Sequence, residues 1–266
     1  LVKMIAQQVN ALQPQLIFAH HGRSTARSDF LDYCRRSGAM TAVYLCDEPY
    51  ECGETAKWSQ YYDYVFTMDP CTLQLHRDVR SKRDERVWYL PPAANTDRFF
   101  PTDAARTIPA LFLGNASLTP RPEYLRPVER MIPGAQIMYW EPTSKMHAKW
   151  VPLQRHGELY RSAAIGLNVH RNPSITEECF RKRLRDHSML PKGLIACSRP
   201  PVEWGTGFWN DADLPAAHVN PRFFEMAACG VCVINDDERP ELARMFPFAP
   251  RATTPDQFLS LVSHYH

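Results

Sequence analysis

Short apolar runs alternate with polar stretches of helical spacing along most of the chain. Gln15–His20, Met40–Cys46, Tyr64–Thr67 and Val87–Leu90 read as strands, being brief apolar runs bounded by polar and turn-forming residues. The stretches between them, such as Ser28–Arg36, read as helices, and the chain opens on a further helical segment. Continuous apolar strands separated by helices predict a parallel sheet covered on both faces. Pro91-Pro92 ends the fourth strand, since neither residue can donate to a ladder. The segment Ala93 to Pro109 is polar and punctuated by proline, and predicts a domain boundary near residue 103. Two α/β domains follow, 1–103 and 104–266.

Alternation resumes beyond that boundary. Ala110–Gly114 is a strand that enters a glycine turn, and Pro122–Met131 is a helix with proline in its first turn. Gln136–Trp140 and Ile165–His170 are strands, with the helix Gly157–Ala163 between them. Val231–Asn235 is a further strand, followed by helices Arg239–Met245 and Pro255–Tyr265. Thr254-Pro-Asp-Gln257 has the form of a capping box. Two stretches read as irregular insertions, Asp47–Trp58 and Arg171–Val219. The second contains Trp204 and Trp209, so its composition is not that of a disordered loop. Those indoles suit either anchors on the core or a wall on which a sugar stacks.

Composition narrows the function classes. The 266 residues are 44% hydrophobic, enough for buried cores, which excludes a largely disordered chain. Thirty-one Lys plus Arg against 29 Asp plus Glu leave a net +2, which gives the whole chain no pull toward nucleic acid or an anionic membrane. Basic runs at His76–Arg86 and Arg181–Arg185 are broken by Asp78, Asp84, Glu85 and Asp186, as on solvated helix faces. They keep a DNA acceptor open, although no continuous stripe or groove-reading element is visible. No run approaches the ~20 apolar residues of a membrane helix, and no signal peptide is visible. Eight scattered cysteines predict reduced thiols and a cytoplasmic location. Cys229-Gly-Val-Cys232 has no second pair at zinc spacing, so no metal site is expected there.

The most informative segment is Asn220-Pro-Arg-Phe-Phe-Glu-Met-Ala-Ala-Cys-Gly230. Asn220 is a good N-cap, Pro221 suits the first helical position, and Gly230 suits the residue past the end. The start of such a helix has unpaired N–H groups and partial positive charge, a ready site for phosphate. Arg222 in the first turn opposes the dipole unless an anion sits there, and its guanidinium can grip a phosphate in two places. Glu225, three residues on, lies on nearly the same face and can accept from a pair of sugar hydroxyls. Local chemistry alone favours an Arg222–Glu225 ion pair on an ordinary capped helix.

Leu90-Pro-Pro-Ala-Ala-Asn-Thr-Asp-Arg-Phe-Phe-Pro101, Leu111–Asn115, Leu167-Asn-Val-His-Arg171 and Asn220–Gly230, followed by Asp236-Asp237 and Pro240-Glu-Leu242, together resemble the CgeB-like glycosyltransferases of the GT-B group. Asp47-Glu-Pro-Tyr50 and Tyr62-Asp-Tyr-Val-Phe-Thr67 resemble their N-terminal half, so the likeness runs from about residue 15 to the end. It implies two Rossmann-like domains facing a cleft, with the donor on the C-terminal domain and the acceptor mainly on the N-terminal one. The implied function is metal-independent transfer, of hexosyltransferase type, from a nucleotide-diphospho-sugar, by family habit a UDP-sugar, with no other cofactor. By the same resemblance Glu225 binds ribose, Asn220 and Arg222 lie beside the diphosphate, Gly114 and Asn115 approach it, and His170 and Arg171 open onto the same cleft. This agrees with the rule that ligands sit beyond the carboxyl ends of parallel strands.

The chain departs from the family in three ways. Ala217 stands where related retaining enzymes often carry a first Glu, and His218 beside it is not a carboxylate; Asp211 or Asp213 could take that role. Both ends are also short for the fold, as in a compact version or one that has lost its termini. The acceptor hydroxyl belongs to a polysaccharide, a protein or a modified DNA base. His20, Asp47 and Glu48, at the ends of the first two strands, are the candidates for its base, although each also suits an ordinary strand-end or turn role. The adjacent Asp236 and Asp237 should point to opposite sides of a strand. The alternative from another class is a non-catalytic nucleotide- or sugar-binding module of the same fold.

Overall fold

The computed structural model describes residues 2–21, 28–50, 52–80, 85–114, 116, 120–139, 151–171, 214–237 and 239–266. Asn115, Trp204, Trp209, Asp211, Asp213 and the basic run Arg181–Arg185 lie outside them. The chain divides into two compact units, the first pass between them falling at Pro91 and Pro92; of the later described residues, 214–216 belong to the first unit and those from Ala217 onward to the second.

The first unit holds a four-stranded, all-parallel sheet in the order β1-β2-β3-β4: β1 Leu16–His20, β2 Met40–Leu45, β3 Tyr64–Thr67 and β4 Val87–Tyr89. Between the strands run α1 Val2–Leu12 (before β1), α2 Ser28–Arg36, α3 Cys52–Ser59 and α4 Leu73–Asp78. Val43, Leu45, Val65 and Val87 bury one face against Phe30, Leu31 and Cys34 of α2. The opposite face departs from the two-sided burial expected of a parallel sheet: Leu16, Phe18, Met40 and Trp88 are 50%, 54%, 47% and 40% exposed.

Two readings of this half need correction. Asp47–Trp58 is not irregular, since it contains α3. Its apolar pattern is weak because the helix is tied by buried polar groups: Thr55 and His76 both meet the Glu48 carboxylate, and Ser59 Oγ lies 3.0 Å from His76 Nδ1. In the basic run from His76, two of the described residues do not lie on a solvated face. His76 is fully buried, and Arg80, 4% exposed, donates to the carbonyls of Ser59, Tyr62 and Asp63.

The second unit carries a five-stranded, all-parallel sheet in the order β6-β5-β7-β8-β9. Its strands are β5 Ile108–Gly114, β6 Gln136–Tyr139, β7 Ala163–Asn168, β8 Cys232–Asp236 and β9 Arg251–Ala252. The helices are α5 Arg121–Met131, α6 His156–Ser162, α7 Pro221–Ala228, α8 Pro240–Met245 and α9 Pro255–Tyr265. Here both faces are covered. Ala110, Phe112, Ile165, Leu167 and Ile234 meet Leu125 and Val128 of α5 and Phe258 and Val262 of α9. Leu111, Leu113 and Val233 meet Tyr160 of α6, Phe223 and Met226 of α7 and Leu242 of α8. Burying such side chains stabilises by about 1.5–3 kcal/mol each. Gly166 in β7 has no side chain because Met226 takes that volume: a Cβ there would overlap the Met226 sulfur.

The boundary lies earlier than residue 103. Phe99 is 4% exposed in the second core, Arg98 donates to Leu153 O at 2.9 Å, and Arg161 donates to Arg98 O at 3.2 Å. The proline-rich polar segment is therefore a strap on the second unit, not a linker. Arg106, on the same segment, donates to four carbonyls: Tyr160 and Ala163 at 3.3 and 3.0 Å, and Cys229 and Gly230 at 3.1 Å each. Thr254 caps α9 as expected, accepting from Gln257 N at 3.2 Å. No described helix is long and apolar enough to cross a membrane, and Cys34, Cys46, Cys52, Cys71, Cys229 and Cys232 are free thiols.

Candidate functional site

Strand order places the site. In the second sheet the chain steps from β5 outward to β6, then returns to the other side of β5 as β7. α5 and α7 pack on opposite faces of the sheet, and at such a reversal of strand order ligands of doubly wound sheets bind beyond the carboxyl ends of the strands. Gly114 ends β5, and Val169, His170 and Arg171 follow β7. The N-terminus of α7 supplies Asn220 and Arg222.

Arg222 reaches past the end of β5. Its Cζ lies 4.6 Å from the Phe112 ring centroid, and a side chain on Gly114 would overlap its Nη2. Gly114 also has φ +152°, a backbone state that favours glycine. The expected ion pair with Glu225 does not form. Arg222 Nη1 is buried with no hydrogen-bond partner, and Glu225 instead accepts from the Tyr160 hydroxyl at 3.3 Å. Asn220 occupies the cap position without making the cap bond, and its side-chain oxygen and nitrogen are both buried without partners. Unpaired buried donors and acceptors are costly and call for a ligand or a function.

Electrostatics favour an anion here. Burial pulls the Arg222 guanidinium below its usual range, against the pull of Tyr160, Glu225 and Asp236. Burial pushes Glu225 up, partly offset by Arg222 and the Tyr160 hydroxyl. A second guanidinium, absent from the sequence reading, flanks the same ring. Arg121 is 7% exposed, donates Nε to Val169 O at 2.8 Å, and has Cζ 5.7 Å from the Phe112 centroid. It opens α5 as Arg222 opens α7, and an arginine in a first turn after a strand ending in glycine was the available signal.

His170 is 2% exposed and bound to Asp236, itself fully buried at the end of β8. The His170 backbone N–H donates to Asp236 Oδ2 at 2.6 Å, and Nδ1 lies 2.5 Å from Oδ1. Burial drives the imidazole down to about 4 despite the carboxylate. Burial alone would raise Asp236, but the imidazole and this backbone N–H hold it below its usual range. The neutral ring donates through Nδ1 and leaves Nε2 buried without a partner. Asp237 is exposed and pairs with Arg251 at 3.8 Å, so the adjacent aspartates do face apart.

The His170 shift predicts acid lability. The unfolded ring takes its proton near 6.5 and the folded one near 4, so the unfolded state binds more protons in that window and stability falls as pH drops through it. Between pH 7 and pH 4.5 the chain should lose on the order of 2 kcal/mol, read by urea denaturation. His170→Gln should flatten that slope, and a slope that persists in the variant would assign it to other groups.

The acceptor-side candidates sit differently. His20 is exposed at the end of β1, 5.9 Å from the Tyr44 ring. The Asp47 side chain is 47% exposed, 3.6 Å from His21 Nε2. Glu48 is fully buried, holding Thr55 and His76, so no part of it is presented to an acceptor. Arg171 follows β7, and its carbonyl accepts from Arg239 at 2.7 Å. Ala217, at the first-Glu position, is buried, and its carbonyl accepts from Glu241 N at 3.2 Å.

No family model matches the chain, and no curated protein does. Among solved structures, the Anabaena protein Alr3699/HepE in complex with UDP and glucose matches with a TM-score of 0.54 at 8% identity, over 99% of this chain and 70% of that one. At that identity the likeness speaks to fold alone, and the fold is a pair of parallel α/β units matching the Rossmann-like GT-B architecture.

Proposed function

We propose that the chain is a glycosyltransferase of GT-B type, CgeB-like in its motifs, that takes sugar from a nucleotide-diphospho-sugar, a UDP-sugar by family habit. One observation carries this reading: unpartnered buried polar atoms of Asn220 and Arg222 gather at the start of α7, beside Gly114 at the switch point of the sheet. In this reading the diphosphate sits on that helix start, its growing negative charge met by Arg222 and free N–H groups as the sugar leaves. Glu225, one turn deeper, accepts from the ribose hydroxyls. The glucose and UDP bound by Alr3699/HepE support the donor class. The acceptor is a hydroxyl of a glycan, a protein or a modified DNA base, with His20 and Asp47 as candidate bases.

Ala217 in the first-Glu position favours the second reading, a non-catalytic nucleotide- or sugar-binding module. A panel of nucleotide sugars separates the two. Transfer predicts a thermal shift with the right donor and release of nucleoside diphosphate; a shift without release under any donor and any of the three acceptor classes supports the module. Glu225→Gln should weaken UDP binding about tenfold, one lost charge-assisted acceptor, while the melting point of the unliganded chain holds. Equal affinity in the variant would remove the ribose role.

A further inference from the structure

We propose that His21, Cys46 and Asp47, at the carboxyl ends of β1 and β2, bind one divalent cation of zinc character. One ligand atom from each residue lies within 4.8 Å of the others. His21 Nε2 stands 3.6 Å from Asp47 Oδ2. The edge of a tetrahedral zinc site with nitrogen, oxygen and sulfur ligands is about 3.3–3.7 Å, so that pair is already at bonding spacing and the thiolate needs at most roughly 1–1.5 Å of closure.

The donor set selects the ion. A thiolate and an imidazole are poor ligands for magnesium or calcium, which take oxygen, whereas imidazole, thiolate and carboxylate all suit zinc. Three protein ligands leave a fourth position for water or another oxygen donor, the pattern of open rather than structural zinc sites. Half-exposed side chains give an ion a way in, at 30% for His21 and 47% for Asp47.

The backbone fixes the spacing. His20 pairs with Tyr44 in the parallel register, and His21 N adds one more bond, to Tyr44 O at 2.8 Å. His21 then has φ +66°, a left-handed turn uncommon for a residue with a side chain. Cys46 and Asp47 follow directly on β2, so His21 and a pair of ligands that begins 25 positions later meet at one rim of the sheet. All three also hold other contacts within the protein, and binding the ion exchanges some of these for metal bonds.

The three ligands belong to the first unit, and the residues of the proposed nucleotide site to the second. A bound ion would make Asp47 a metal ligand rather than the base of an acceptor hydroxyl, and would revise the expectation that the chain works without metal.

The full chain, stripped with chelator, is titrated with Zn²⁺ by calorimetry and with Co²⁺ by absorption. One equivalent should bind, and the cobalt form should show a thiolate charge-transfer band with the intense visible bands of tetrahedral coordination. Cys46→Ser should abolish the charge-transfer band. Adding His21→Ala should weaken Zn²⁺ binding more than about 100-fold, since even outer-shell changes cost up to that much. Asp47→Asn, at a half-exposed position, keeps the test open if the other variants do not fold, and should weaken binding at least about tenfold. No stoichiometric uptake, or a charge-transfer band that survives Cys46→Ser, overturns the site and leaves a His21–Asp47 ion pair beside a free thiol.

Discussion

Arg222→Met is expected to weaken UDP binding about 100-fold while leaving the unliganded chain within about 1 kcal/mol of the parent. Two charge-assisted bonds from a guanidinium to phosphate are worth about 1.5 kcal/mol each at the low end, and 3 kcal/mol is about 100-fold. The stability half of this expectation separates a ligand site from a structural one. Arg222 stacks on Phe112 but keeps Nη1 buried and unbonded. Methionine loses the cation–π contact, worth about 0.5–2 kcal/mol, and relieves an orphaned donor that costs about 1–3 kcal/mol, so the two nearly cancel. Calorimetry with UDP and a melting curve without it read the two halves. A variant that binds UDP as the parent does would remove the helix start as the phosphate seat. One that melts far lower would make Arg222 a structural brace.

Arg106→Ala should lower the stability of the second unit by about 3 kcal/mol, or about 8–10 °C in melting temperature. The guanidinium gathers four carbonyls, and those of Cys229 and Gly230 lie where α7 ends with acceptors unsatisfied. A cation there also complements the negative end of the helix. Water replaces part of what is lost, since the residue is only half-buried, which keeps the effect below the sum of four bonds. Arg106→Lys should recover a fraction, because one ammonium cannot span all four oxygens. A melt within about 1 °C of the parent in the alanine variant would show that solvent serves these carbonyls equally well.

The strands were legible wherever burial made an unbroken apolar run. β3 matches its predicted bounds, and β1, β2 and β4 differ by one residue. β5 starts at Ile108 because Pro109, read as a breaker, sits at the second residue of the strand. β9 spans two residues, too short to produce a pattern. α3 was missed because Thr55 and Ser59 on its inward face are polar, and their burial depends on side-chain partners outside the helix, Glu48 and His76. The α7 start was legible because caps, dipole and an uncompensated arginine are local features. Long-range pairings were not: Asp236 orients His170 across 66 positions, Arg121 joins Arg222 only through Phe112, and His21 meets Asp47 only once β1 and β2 are in register.

Gly166 and Met226 make one further point about how this chain can vary. The thioether fills the hollow that a missing methyl leaves in β7, so the two positions behave as a single lock and key. Divergent copies that acquire alanine at the strand position should shorten the helix position, and a copy that changes only the strand would push α7 off its seat on the sheet without altering Asn220, Arg222 or Glu225.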